Sequence, residues 1–154
     1  MNKIFIYYSL TGNGDYVANI LEGEGIEIRR ITVDPKEDLP KRTFFRIMAG
    51  GFLAFLEKTP KLINFDSNIE EYDEIIIGSP IWNDRLACPI NTALSGLNLE
   101  NKKVTFIFYS GSGKNKKATE KINNMYKNAE IINIKEPKKN IEITKEVLKE
   151  NKII

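Results

Sequence analysis

Ser9-Leu10-Thr11-Gly12-Asn13-Gly14 decides how this chain is read. An apolar run, Ile4-Phe5-Ile6-Tyr7-Tyr8, leads into it. Behind it, Asp15 to Leu21 carries Val17, Ala18, Ile20 and Leu21 at helical spacing. Hydroxyls, an amide and two glycines between a strand and a helix are the parts of an anion cradle. Glycine lets the backbone turn and approach a ligand closely. The N–H groups of the first helical turn, at the positive end of the helix dipole, point at the same spot. The stretch holds no Lys or Arg, so a phosphate here is expected to be held by neutral donors. Six residues are a long connection for a bare strand-to-helix turn. No Lys follows Gly14, which separates the stretch from a P-loop. Gly12-x-Gly14 with Val17 and Ala18 behind it also fits a dinucleotide-binding turn, so that reading stays open.

Outward from this stretch, strands and helices alternate. Lys3 to Tyr8 reads as a strand buried on both faces. Gly23 and Gly25 end the first helix, and Ile26, Ile28 and Ile31 alternate with charged residues as on an edge strand. Asp34 to Pro40 is a polar loop. Lys41 to Lys58 places Phe44, Phe45, Ile47, Met48, Phe52, Leu53, Phe55 and Leu56 at helical spacing, with a break at Gly50-Gly51. Glu74 to Gly78 is a short central strand, and Ser79 to Arg85 a loop at its carboxyl end. Ala87 to Leu97 is a helix with Pro89 at its start. Val104 to Tyr109 is a buried strand that ends in the loop Ser110-Gly111-Ser112-Gly113. Lys116 to Tyr126 reads as a helix, Glu130 to Ile134 as a strand, and Ile141 to Lys149 as a last helix. The lysine-rich end is read as a solvated face. Five β-α units of this kind predict an α/β fold: a five-stranded parallel sheet with helices on both faces, in one domain spanning residues 1–154.

Composition narrows the chemistry. The 154 residues carry a net charge of +2, which gives nucleic-acid binding no support. One cysteine excludes an internal disulfide framework. No signal-like segment and no apolar run of membrane-spanning length is present, so a cytoplasmic protein is expected. The chain has no histidine, the commonest general base and metal ligand. Cys88 reads as a small buried residue at a helix start.

In an open parallel sheet, ligands sit beyond the carboxyl ends of the strands, where the strand order switches. With the order 2-1-3-4-5, loops 9–14, 79–85 and 110–113 meet at one crevice. Trp82 alone reads as a packing residue. Its place in a loop beside the cradle also makes it a candidate to stack on a ring system.

The chain resembles the flavodoxins over nearly its whole length. Tyr8 to Gly14 is similar to that family's phosphate loop, Ser/Thr-x-Thr-Gly-x-Thr, and departs from it at Gly14, where one hydroxyl is lost. Gly78-Ser79-Pro80-Ile81-Trp82 resembles the first flavin-flanking loop. Tyr109 to Gly113 matches the second loop in place but lacks its usual stacking tyrosine. The fifth strand has no long insertion, as in short-chain members. The resemblance implies a flavodoxin-like three-layer sandwich that binds FMN and transfers single electrons. The implied cofactor-binding residues are Ser9, Leu10, Thr11, Gly12, Asn13, Gly14, Ser79, Pro80, Ile81, Trp82, Asn83, Ser110, Gly111, Ser112 and Gly113. No catalytic residue and no metal ligand is implied. The expected partners are a reductase and an electron acceptor, of acidic surface, meeting a monomer at Arg85, Lys114, Lys116 and Lys117, with neither nucleic acid nor membrane. Three alternatives stay open: an FMN-dependent NAD(P)H oxidoreductase acting on quinones or flavins, an NADP-binding domain using Arg29 or Arg30, and a scaffold without cofactor.

Overall fold

The structure, a computed structural model, describes residues 1–38, 49, 56 and 58–154. The helical reading of the phenylalanine-rich stretch 41–58, with its break at Gly50-Gly51, lies outside the described residues apart from positions 49, 56 and 58. Among the described residues the order is β1 (Lys3–Tyr7), α1 (Asn13–Gly23), β2 (Glu27–Arg30), β3 (Glu74–Trp82), β4 (Arg85–Leu86), α2 (Cys88–Gly96), β5 (Lys103–Ser110), α3 (Lys116–Met125), β6 (Glu130–Lys135) and α4 (Ile141–Glu150). Five strands run parallel in the spatial order β2-β1-β3-β5-β6. Counted as parallel strands alone, this is the predicted 2-1-3-4-5.

Alternation along each strand feeds two cores. Ile4, Ile6, Ile75, Ile77, Phe106 and Phe108 face α2 and α3, where Ile90, Leu94 and Ile122 are buried. Phe5, Tyr7, Ile76, Ile107 and Tyr109 face α1 and α4, meeting Val17, Leu21 and Leu148. A sheet covered on both sides therefore has apolar residues at consecutive positions, which is why its strands read as continuous apolar runs.

β3 corrects the sequence reading. Ser79 to Trp82 is strand, not loop. The long strand β5 supplies parallel partners as far as Pro80↔Tyr109. Beyond that point β4 turns back antiparallel, pairing Ile81 with Leu86 and Trp82 with Arg85. The two turn residues, Asn83 and Asp84, have φ of +48° and +67°. A two-residue turn with both φ values positive has the twist a hairpin needs, and Asn and Asp tolerate that region best after glycine. The ladder between β1 and β3 ends at Tyr7↔Gly78, so β3 outruns β1 by four residues. The crevice opens there.

Candidate functional site

Gly12 makes the bend that enters α1. Its φ is +91°, a left-handed conformation that other residues adopt only with strain. The helix begins at Asn13, two residues earlier than its apolar spacing suggested. The Ser9 hydroxyl lies beneath the turn and accepts the Asp15 N–H at 3.3 Å. The N–H groups of Thr11, Gly12, Asn13 and Gly14 donate to no acceptor among the described residues. Four adjacent unpaired donors around a glycine bend have the make-up of an anion cradle.

Gly14 is glycine for a reason the sequence does not display. A Cβ built on it would collide with the Tyr109 hydroxyl and lie 2.9 Å from Tyr109 Cζ. Tyr109 is buried, and its hydroxyl donates to the Tyr8 carbonyl. Burial holds its phenol well above the ordinary tyrosine range. A threonine at position 14 has no room for its Cβ while Tyr109 stays in place.

The charges around the cradle come from elsewhere in the chain. Asp15 accepts from Arg30 Nε at 2.9 Å and from the Tyr7 hydroxyl at 3.0 Å, and Arg30 also donates to the Ser9 carbonyl at 3.3 Å. Burial raises the Asp15 pKa. The side-chain hydrogen bonds with Arg30, Ser9 and Tyr7 outweigh it and hold the carboxyl below its usual range. Burial first, and then Asp15, pushes Tyr7 up to about 12. Arg29 is committed as well: it donates to the Asp66 and Asn68 carbonyls at 2.9 and 2.8 Å. Neither arginine offers the open guanidinium that the NADP reading required.

Lys138 is the residue that sequence reading missed. It was assigned to the solvated lysine-rich end, yet a Cβ built on Gly12 would lie 3.6 Å from its ammonium nitrogen. Its backbone N–H donates to Asn13 Oδ1 at 3.2 Å, while Asn13 Nδ2 donates to Thr11 Oγ1 at 3.4 Å. Position 138 lies 125 residues from Asn13. Only the fold brings the loop after β6 beside the loop after β1, and no local signal marks it.

Beside the cradle lies a cavity of about 260 Å³ lined by Leu10, Thr11, Asn13, Pro80, Ile81, Trp82, Tyr109, Ser110 and Gly111. All three predicted segments contribute to it. The sequence reading put Trp82 at a loop tip, and the structure corrects this. It ends β3, is 8% exposed, and packs edge-on against Tyr8 with ring centres 5.7 Å apart. Seven predicted positions do not line the cavity: Ser9, Gly12 and Gly14, which belong to the turn into α1, and four others. Ser79 is buried and closes the β3–β4 hairpin, donating to the Pro80 carbonyl and accepting from Ala87 N–H. Asn83 is in the exposed turn. Ser112 accepts the Lys114 N–H, and Gly113 donates to Ser110 Oγ, so both shape their own loop. A second cavity, about 280 Å³, lies against Trp82 and is lined also by Tyr8, Val33, Pro60, Cys88 and Pro89.

A doubly wound parallel sheet, with a glycine-bent cradle and an apolar cleft at the switch in strand order, defines a flavodoxin-like α/β sandwich. A family model described as Flavodoxin matches residues 55–152, more than half of the chain, and the protein belongs to the flavodoxin family. Among solved structures the chain is similar to a flavoprotein in complex with FMN from Lactobacillus acidophilus NCFM. The TM-score is 0.65 and the identity 22%, over 92% of this chain and 97% of that one. It is similar also to the apo-form of the flavoprotein from the same organism, with a TM-score of 0.58 and 24% identity over 87% and 90% of the two chains. At these identities the likeness concerns the fold. A comparison with curated proteins found no match.

Proposed function

We propose that the chain binds FMN, with the phosphate in the cradle at Gly12 and the ring in the cleft between Trp82 and the loop after β5, and that it serves as a one-electron carrier. The observation that carries this reading is the row of four unpaired N–H groups, at residues 11–14, beside that cleft. Their donors suit a phosphate dianion, and the cleft is largely apolar, as a flat aromatic group requires. When bound, the flavin supplies the redox chemistry. The protein's own part is to hold it: the backbone donors bind the phosphate, and Trp82, Pro80 and Ile81 exclude water from one wall. Among the described residues, no carboxylate or cysteine lines the cleft. The phenol that lines it, Tyr109, is buried and donates to the Tyr8 carbonyl. This set suits electron transfer better than acid–base turnover.

The test is a visible spectrum after incubation with FMN, together with calorimetry against riboflavin. Flavin bands and markedly tighter binding of FMN are expected. Equal affinity for riboflavin would remove the phosphate cradle from the reading.

A second reading, an FMN-dependent NAD(P)H oxidoreductase, draws on the second cavity that Trp82 lines. That space is lined by residues from both flanks of the phenylalanine-rich stretch, at 37–38 and 58–60. Steady-state oxidation of NADH and NADPH separates the two: a carrier turns either over only slowly without a reductase. For the carrier, the proposed partner is a protein with an acidic face, met by Arg85 of β4 and by Lys114, Lys116 and Lys117, which follow the cleft-lining loop after β5.

A further inference from the structure

We infer that Lys138 is the charged phosphate ligand of the FMN site, supplied by the loop between β6 and α4 in place of the hydroxyl that Gly14 lacks. The inference rests on the FMN reading above and goes beyond it in assigning a residue from outside the three site loops. The observations are geometric. The Lys138 ammonium stands over the Gly12 bend, 3.6 Å from the position of a Cβ there. That bend presents the unpaired N–H groups of residues 11–14. Among the described residues the Lys138 ammonium has no carboxylate within ion-pair distance, whereas Lys139 beside it pairs with Glu136.

The loop that carries Lys138 is held at several points. Glu136 N–H donates to the Ser110 carbonyl at 3.2 Å, and Asn140 Nδ2 to the Lys135 carbonyl at 2.8 Å. Thr144, itself buried, donates to the Pro137 carbonyl at 3.2 Å. Lys138 N–H itself bonds to Asn13. The backbone is thus tied to the cradle before any ligand arrives, so that only the side chain is left to order. Gly14 shows why a cation is useful here. Tyr109 fills the space of a hydroxyl-bearing side chain, so the cradle is one side-chain donor short. A lysine restores that donor and adds a charge opposite a dianion, where a charge-assisted hydrogen bond is worth more than a neutral one.

The test uses the full chain and three ligand measurements by calorimetry. K138Q is expected to weaken FMN binding about three- to thirtyfold, the lower figure reflecting the solvent exposure of the ammonium. It should leave riboflavin binding unchanged, because riboflavin has no phosphate. K138R should recover most of the loss. The wild-type affinity for FMN should fall with added salt more steeply than that of K138Q. Equal FMN affinities for K138Q and wild type overturn the inference. An equal loss for riboflavin and FMN also overturns it, since that marks a structural role for the loop. A wild-type protein that binds FMN no better than riboflavin overturns the parent reading instead, and the two failures are distinguishable.

Discussion

At the scale of single residues, contact distance decides what the site is made of. Gly14 and Tyr109 constrain each other, so Gly14→Ala is expected to cost about 1–3 kcal/mol of stability, the usual range for overpacking. A urea unfolding series reads this directly, and an unchanged midpoint would mean that Tyr109 moves aside freely. Trp82 is mostly inside the protein, so Trp82→Ala should cost about 3–5 kcal/mol, and Trp82→Phe much less. If Trp82 also flanks the ring, flavin fluorescence should rise in the Trp82→Phe complex while the fold persists. Asp15 sets part of the pH dependence. Its carboxyl titrates lower in the folded protein than its ordinary 3.8. The folded state therefore releases that proton more readily than the unfolded one, and the stabilisation is present above pH 3.8 and lost as pH falls below it. Asp15→Asn should flatten that part of the acid limb in a pH series of thermal melts. Tyr7 acts with the opposite sense at high pH. Its pKa of about 12, against an ordinary 10.0, favours the protonated folded form, and that contribution fades as pH rises from 10 towards 12.

At the scale of elements, the β3–β4 hairpin shapes the cleft wall. Its turn is held in left-handed backbone by two residues that are not glycine, and Asp84 Oδ1 is buried without a hydrogen-bond partner. Asp84→Gly should therefore stabilise the protein by about 0.5–1 kcal/mol, relieving both the backbone and the unpaired oxygen. Thermal melts of this variant beside Asp84→Val, which should be clearly destabilised, give the comparison. The Asp84 carbonyl accepts the Ala118 N–H at 2.9 Å, joining the hairpin to the start of α3. Lys116 and Lys117 open that helix, so the same contact ties the start of α3 to the β3–β4 turn.

At the scale of the molecule, local charge matters more than the total. The net charge is only +2, yet Arg85 opens β4, and Lys114, Lys116 and Lys117 follow the loop whose Ser110 and Gly111 line the cleft. A cation several ångströms away, partly screened, contributes about 0.5–1.5 kcal/mol to an added negative charge. Replacing Lys114 and Lys116 with Gln should lower the midpoint potential of the bound cofactor by on the order of tens of millivolts at low salt, and less at high salt. Spectroelectrochemistry at two ionic strengths checks it, and no shift at low salt would leave backbone contacts in sole control. An acidic protein partner should associate more slowly as salt rises, and the double variant should lose most of that dependence.

The same arrangement separates what could be read along the chain from what could not. Apolar runs such as Ile4 to Tyr8 and Val104 to Tyr109, each followed by a polar turn and a helical pattern, determined the five parallel strands, their helices on both faces and the cradle at Gly12. Those are local properties: propensity, periodicity and turn chemistry act between neighbours in sequence. The tertiary structure alone decided that Ser79 to Trp82 continues as strand, because β5 pairs with it as far as Pro80 and β4 turns back to pair with Ile81 and Trp82. It decided that Gly14 yields to Tyr109 and that Asp15 pairs with Arg30. It also decided that a lysine read as solvated stands over the cradle. Each of these is a contact between residues distant in sequence, and such contacts exist only once the sheet has set which loops are neighbours.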